Sequence, residues 1–222
     1  LNILLDKLDF NEIWAYESLK NIIRPDFKIC IIPFSFHEKW IKDKEEWETI
    51  YNNINGKEYI KIVSPFYTYG IKDDNIALVN YFTDSNESAI EKVNISDIVF
   101  FTGGFPEKIM KRLLEFNLIS VIEQYKGIKM GWSAGAMMQC YDYYISPDDE
   151  DYLEFQYEKG LKYIEDFAVE VHYKNTEVQN KSIEKFVREK KKMVYTTERQ
   201  SAIIVDNKKV TLLGNAKMYE IK

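Results

Sequence analysis

A chain of 222 residues, 45% hydrophobic and 15% aromatic, can bury one sizeable core and is short for two, so a single domain over residues 1–222 is expected. Few Gly and Pro exclude long disordered stretches, and a net charge of −6 argues against a nucleic-acid footprint. No charged-then-apolar leader opens the sequence and no apolar run reaches membrane-spanning length, so a cytoplasmic protein away from membranes is expected, with Cys30 and Cys140 as buried thiols in a reducing compartment.

Residues 1–5 read as an apolar strand, and Asn11 as the cap of a helix running to residue 23, before Pro25. Residues 27–33 are apolar almost throughout, as a parallel strand covered on both faces should be. Over 37–55 the positions Trp40, Trp47, Ile50, Tyr51 and Ile54 recur at helical spacing, with Gly56 as the exit; residues 59–64 read as a strand. A strand at 77–82 and a helix at 85–93 precede the clearest buried strand, 97–101, which runs into Thr102-Gly103-Gly104-Phe105-Pro106. Pro106 suits the first turn of a helix whose inner face is Ile109, Met110, Leu113 and Leu114. A short helix at 119–125 leads to a strand at 127–130.

That strand enters Gly131-Trp132-Ser133-Ala134-Gly135, a match to the Gly-x-Ser-x-Gly elbow in which a strand turns sharply into a helix and presents a serine hydroxyl. Small residues flank the serine because strand and helix pass too close for bulk. A helix over 134–140, an acidic loop over 146–151, a strand over 168–172 ending in His172 and an amphipathic helix over 176–190 follow. The final strands, 193–196, 201–205, 210–213 and 218–221, read as antiparallel, with a tight turn at Asp206-Asn207. Alternating strands and helices predict an α/β fold: a doubly wound, mostly parallel sheet with helices on both faces and a small antiparallel C-terminal part. In such sheets the working loops lie beyond the carboxyl ends of the strands, which puts the Gly103-Gly104 turn and Ser133 on one edge.

A serine hydroxyl needs a base to take its proton, and the base needs an acid to hold its tautomer. His172, at the end of a strand, is the natural base; His37 ranks second. The acidic loop offers Asp148, Asp149, Glu150 and Asp151, with Glu154 just beyond, and one of these is expected to orient the imidazole. An oxyanion needs two N–H donors, for which Ala134 and Gly104 are placed. With only two histidines, a histidine-rich metal site is not expected, and no cofactor is implied.

As a set, Gly-Trp-Ser-Ala-Gly-Ala at 131–136, the upstream glycine pair, the acidic loop and His172 resemble the dipeptidase E family of serine peptidases. That family contains aspartyl dipeptidases and cyanophycinases, on a flavodoxin-like sheet related to class I glutamine amidotransferases. The resemblance spans 97–205 and implies Ser133 as nucleophile, His172 as base, Asp148 as acid with Glu150 and Glu154 as alternatives, and Gly104 and Ala134 as oxyanion donors. It also implies hydrolysis of a small peptide, with an N-terminal or linked aspartate, through an acyl-enzyme. One departure stands beside the pocket: Thr102-Gly103-Gly104-Phe105 replaces the family's three glycines and asparagine, which weakens the expected preference for aspartate. Serine at the elbow, where glutamine amidotransferases carry cysteine, argues against amide transfer. An α/β-hydrolase esterase, in the chain order Ser, Asp, His, and a catalytically silent ligand-binding domain are the alternatives, and a homodimer is admitted.

Overall fold

Short strands with hardly a polar side chain build the centre of the molecule. The computed structural model describes residues 1–148 and 150–221. In chain order it runs β1 (Asn2–Leu5), α1 (Ile13–Leu19), β2 (Ile29–Ile32), α2 (Lys44–Tyr51), α3 (Lys57–Tyr67), β3 (Ile76–Leu78), α4 (Asn86–Asn94), β4 (Ile98–Phe101), α5 (Pro106–Glu115) and α6 (Ile119–Gln124). Then follow β5 (Ile128–Trp132), α7 (Ala134–Met137), β6 (Asp142–Ile145), β7 (Gln156–Lys159), β8 (Phe167–Glu170), α8 (Glu177–Lys190), β9 (Met193–Thr196), β10 (Ser201–Asp206), β11 (Lys209–Gly214) and β12 (Lys217–Met218).

The main sheet has the order β11-β10-β1-β5-β4-β2-β3, parallel from β1 to β3 and antiparallel at β10 and β11. Alternate side chains serve opposite layers. Ile29, Ile31, Ile98, Phe100 and Met130 pack with Ala15 and Leu19 of α1 and Ile62, Val63 and Phe66 of α3. Cys30, Ile32, Val99 and Phe101 pack instead with Ala89 of α4, Ile109 and Leu113 of α5 and Ile122 of α6. This is the doubly wound, flavodoxin-like arrangement. A smaller sheet, β12-β9-β8, abuts it through Val169, Phe167 and Tyr195 against Leu4 and Ile203, and α8 covers its far side with Ile183 and Phe186. Among the described residues no helix is long and apolar enough to cross a membrane.

Several local expectations are corrected. Residues 59–64 are not a strand: Tyr59, Ile62, Val63 and Phe66 form the buried stripe of α3, at a helical spacing that a short apolar run conceals. Gly56 begins that helix rather than ending the previous one, and α2 starts only after Asp43, whose carboxylate accepts the Glu46 N–H. The first helix is shorter than expected and is preceded by Glu12 rather than capped by Asn11. The strand expected over 77–82 is only the three residues of β3. β6 and β7 pair as an antiparallel hairpin that no sequence pattern announces, β9 runs parallel to β8, and the β10–β11 turn falls on Asn207-Lys208, both at positive φ (47° and 69°).

Candidate active site

Strand β5 lies between β1 and β4, with Leu5 beside Trp132 and Phe101 beside Gly131. At its carboxyl end the chain turns within one residue: Ser133 has φ 52° and ψ −118°, a region in which a side chain is strained. The Ser133 N–H donates to the Leu5 carbonyl (2.9 Å), so the neighbouring strand fixes the corner. Helix α7 then leaves directly over the sheet. A Cβ on Gly131 would collide with the Gly135 carbonyl, and one on Gly135 with the Phe101 carbonyl, which is why this turn requires its two glycines. Buried Gln139 locks the assembly, accepting from the Asn2 amide (2.9 Å) and donating to the Gly135 carbonyl (3.0 Å).

His172 reaches this corner from beyond β8, itself at φ 54°. Its Nε2 lies 2.8 Å from Ser133 Oγ, and its Nδ1 lies 3.1 Å from Asp6 Oδ2. Asp6 is fully buried, and its Oδ1 accepts the His172 backbone N–H (2.6 Å) and the Thr197 hydroxyl (3.0 Å). Burial pushes its pKa up, but the bonds and charge of His172, with Thr197, outweigh burial and hold it below the usual carboxylate value. An ionised Asp6 only accepts, so Nδ1 carries the imidazole proton and Nε2 is free to accept from the serine hydroxyl.

The carboxylate behind the imidazole is therefore Asp6, not Asp148. Asp148 is exposed, and its Oδ1 accepts the N–H groups of Glu150 (3.0 Å), Asp151 (2.7 Å) and Tyr152 (2.9 Å), tying its own loop. Burial opposes its ionisation, yet these three donors leave its pKa lowered. Glu150 and Glu154 are exposed and neither bonds to His172 in the way Asp6 does; Asp149 lies outside the described residues. His37 stands apart from the relay, packed edge-on against Phe105 with its Nδ1 accepting the Lys39 N–H. Asp6 carries a signal that sequence reasoning used for His172 and overlooked here: a polar residue at the carboxyl end of an apolar parallel strand. The resulting chain order, Asp, Ser, His, differs from the Ser, Asp, His order on which the esterase alternative rested.

Gly104 sits across the corner at φ 139°, a conformation that favours glycine, and a Cβ there would lie 2.5 Å from the Ser35 carbonyl. Ser35 holds this loop from behind: its carbonyl accepts the Phe105 N–H (2.8 Å), and its hydroxyl bonds the Gly103 carbonyl (2.5 Å) and Thr102 Oγ1 (2.7 Å). Ser35 is fixed in turn by buried Arg112, which donates to the carbonyls of Phe34 (2.5 Å) and Phe36 (2.7 Å) and lies over the Phe36 ring. Ala134, the first residue of α7, has an N–H for which the helical ladder supplies no partner.

Ser133, His172 and Gly104 open into a cavity of about 1430 Å³. Trp40, Phe105 and Tyr152 form an aromatic side, and exposed Lys7, Lys61, Lys174 and Arg199 stand around it. Glu170, two residues before His172, also lines the cavity but is 5% exposed, with both carboxyl oxygens 2.9 Å from the Ser146 hydroxyl. Burial raises its pKa to about 7, only partly offset by neighbouring hydrogen bonds.

Hydroxyl, imidazole and carboxylate in series, at the carboxyl edge of a doubly wound sheet, place the chain among the serine-type hydrolases. Comparison with known proteins narrows this: the chain belongs to peptidase family S51, whose model matches residues 54–213, and it is a serine-type peptidase. Asp6 lies outside the matched span. The fold is similar to that of a candidate peptidase E protein from Listeria monocytogenes EGD-e (TM-score 0.65, 15% identity, covering 99% of this chain and 98% of that one). It is also similar to a peptidase from an acI-B1 actinobacterium (TM-score 0.62, 16% identity, covering 98% and 86%). No curated protein matches the sequence.

Proposed function

We propose that the protein hydrolyses small peptides through an acyl-enzyme on Ser133. The observation that carries this reading is the unbroken series from Ser133 Oγ to His172 Nε2 (2.8 Å) and from Nδ1 to Asp6 (3.1 Å). His172 takes the hydroxyl proton as Ser133 Oγ attacks the scissile carbonyl; Asp6 stabilises the imidazolium and remains ionised. The tetrahedral oxyanion is met by the N–H groups of Gly104 and Ala134. Collapse breaks the C–N bond, with His172 returning its proton to the leaving amine. Water then attacks the ester by the same route, releasing the acid and restoring the hydroxyl.

Residues following β1, the Gly104 loop and the segment after β8 all line the cavity around the corner, where a small peptide would be held. Among the described residues, a substrate aspartate, expected from the resemblance, would find lysine and arginine cations lining the cavity only in the exposed Lys7, Lys61, Lys174 and Arg199, while the Glu170 carboxyl opposes it. A cytoplasmic setting is supported by Cys30 and Cys140, both buried, unpaired thiols whose pKa burial pushes up to about 12.

A fluorophosphonate probe tests the assignment: stoichiometric labelling of Ser133, lost in Ser133→Ala, together with dipeptide turnover lost in the same variant, is expected. A folded protein that neither labels nor turns over any dipeptide would exclude this chemistry and favour a silent binding domain.

A further inference from the structure

The proposed relay leaves one buried carboxyl on the cavity wall without a task. Glu170 ends β8, and the chain continues through Val171 into His172, so its carboxyl and the imidazole belong to one short stretch of wall. Glu170 is buried to 5% exposure, yet it lines the cavity together with Ser146, to which its carboxyl bonds. The side-chain hydrogen bond its carboxyl makes is to the Ser146 hydroxyl, and among the described residues no lysine or arginine forms an ion pair with it.

A carboxyl taken out of water without a cation is the arrangement expected where the cation arrives with the ligand. A ligand ammonium against Glu170 would supply the missing charge in a poorly hydrated setting, where opposite charges attract most strongly. A ligand carboxylate placed there would meet a like charge instead. The lysines and arginine that line the cavity among the described residues, Lys7, Lys61, Lys174 and Arg199, are exposed. The proton that Glu170 holds near neutral pH is the stand-in for the absent cation.

Resting on the peptidase reading of the same cavity, we infer that Glu170 is a specificity-determining residue that selects small peptides carrying an ammonium group beside the scissile bond, in preference to acidic ones. That ammonium comes either from a free amino terminus or from a basic side chain.

The test is calorimetric binding to the full chain carrying Ser133→Ala, which cannot turn over, with Lys-Ala, N-acetyl-Lys-Ala, Ala-Ala, N-acetyl-Ala-Ala and Asp-Ala as ligands at pH 8. Lys-Ala is expected to bind about tenfold or more tighter than N-acetyl-Ala-Ala and Asp-Ala, and Glu170→Gln in the same background should remove most of that preference. Tight binding of N-acetyl-Lys-Ala assigns the side chain as the source, and tight binding of Ala-Ala the amino terminus. A second measurement leaves Glu170 in place: at about pH 6.5, Lys-Ala binding should release protons as Glu170 ionises, seen as a buffer-dependent enthalpy. Binding of Lys-Ala no tighter than N-acetyl-Ala-Ala, which carries no ammonium, tighter binding of Asp-Ala, or a preference that survives Glu170→Gln would overturn the inference. Selective binding of Lys-Ala without turnover by the protein that retains Ser133 would instead overturn only the peptidase reading.

Discussion

Asp6 and His172, 166 positions apart in the chain, meet through two bonds at once: one carboxylate oxygen accepts the backbone N–H of His172 and the other faces its Nδ1. A residue at φ 54° is thereby held in place by the same side chain that orients its ring. The carboxylate sets both the position and the tautomer of the imidazole.

Replacing Asp6 should therefore damage the peptidase far more than any change in the acidic loop. For Asp6→Asn, kcat is expected to fall on the order of 10³- to 10⁴-fold with KM little altered, because the amide favours the wrong tautomer. Asp148→Asn should keep kcat within about threefold, its carboxylate serving its own loop. Steady-state kinetics on one dipeptide decide the matter; a larger loss in the Asp148 variant would reverse the assignment.

Backbone strain at the corner gives a second, purely thermodynamic signature. Glycine usually destabilises relative to alanine, but at φ 52° and ψ −118° the order should invert. Ser133→Gly is expected to be more stable than Ser133→Ala by about 1 kcal/mol in urea unfolding, with both variants inactive.

Packing under the elbow is equally specific. A methyl group on Gly135 would press on the Phe101 carbonyl, and neither backbone can yield without shifting α7 from β4. Gly135→Ala should lower stability by about 3 kcal/mol and reduce fluorophosphonate labelling of Ser133 as the hydroxyl leaves the imidazole. An unchanged melting temperature would show that the helix has room it does not display here.

Glu170 makes stability depend on pH in an unusual direction. Its folded pKa, about 7, exceeds its ordinary value of 4.5, so between these values the folded protein binds more protons than the unfolded chain and stability falls as pH rises. The full span is worth at most about 3 kcal/mol. Asp6 acts oppositely: its lowered pKa contributes stability that is present above the unfolded value and lost as the solution is acidified through the folded one. Glu170→Gln should flatten the decline between about pH 4.5 and pH 7 while leaving the loss in strong acid. Chemical denaturation across pH, comparing the two proteins, provides the check.

Much of this architecture could be read from local pattern. Apolar runs marked β1, β2 and β4, small residues marked the Ser133 elbow, and a strand ending in His172 marked the partner of the serine. What failed was non-local or ambiguous. Residues 59–64 carry too few positions to separate a period of two from one of 3.6, and only the stripe reaching Phe66 resolves it. Clustered carboxylates draw the eye to the 146–151 loop, yet clustered exposed charges need no partner, whereas a lone aspartate at the end of a buried strand does. That Asp6 lies beside Ser133 follows from β1 pairing with β5, a neighbourhood no short segment encodes.

Strand β1 is flanked on one side by residues 128–132 and on the other by residues 202–205. The Asp6 carboxylate is thus enclosed only once β10 has paired with β1 and Thr197 has closed over it. The pairing of distant strands, rather than local folding of the elbow, therefore decides when the carboxylate is walled off from water.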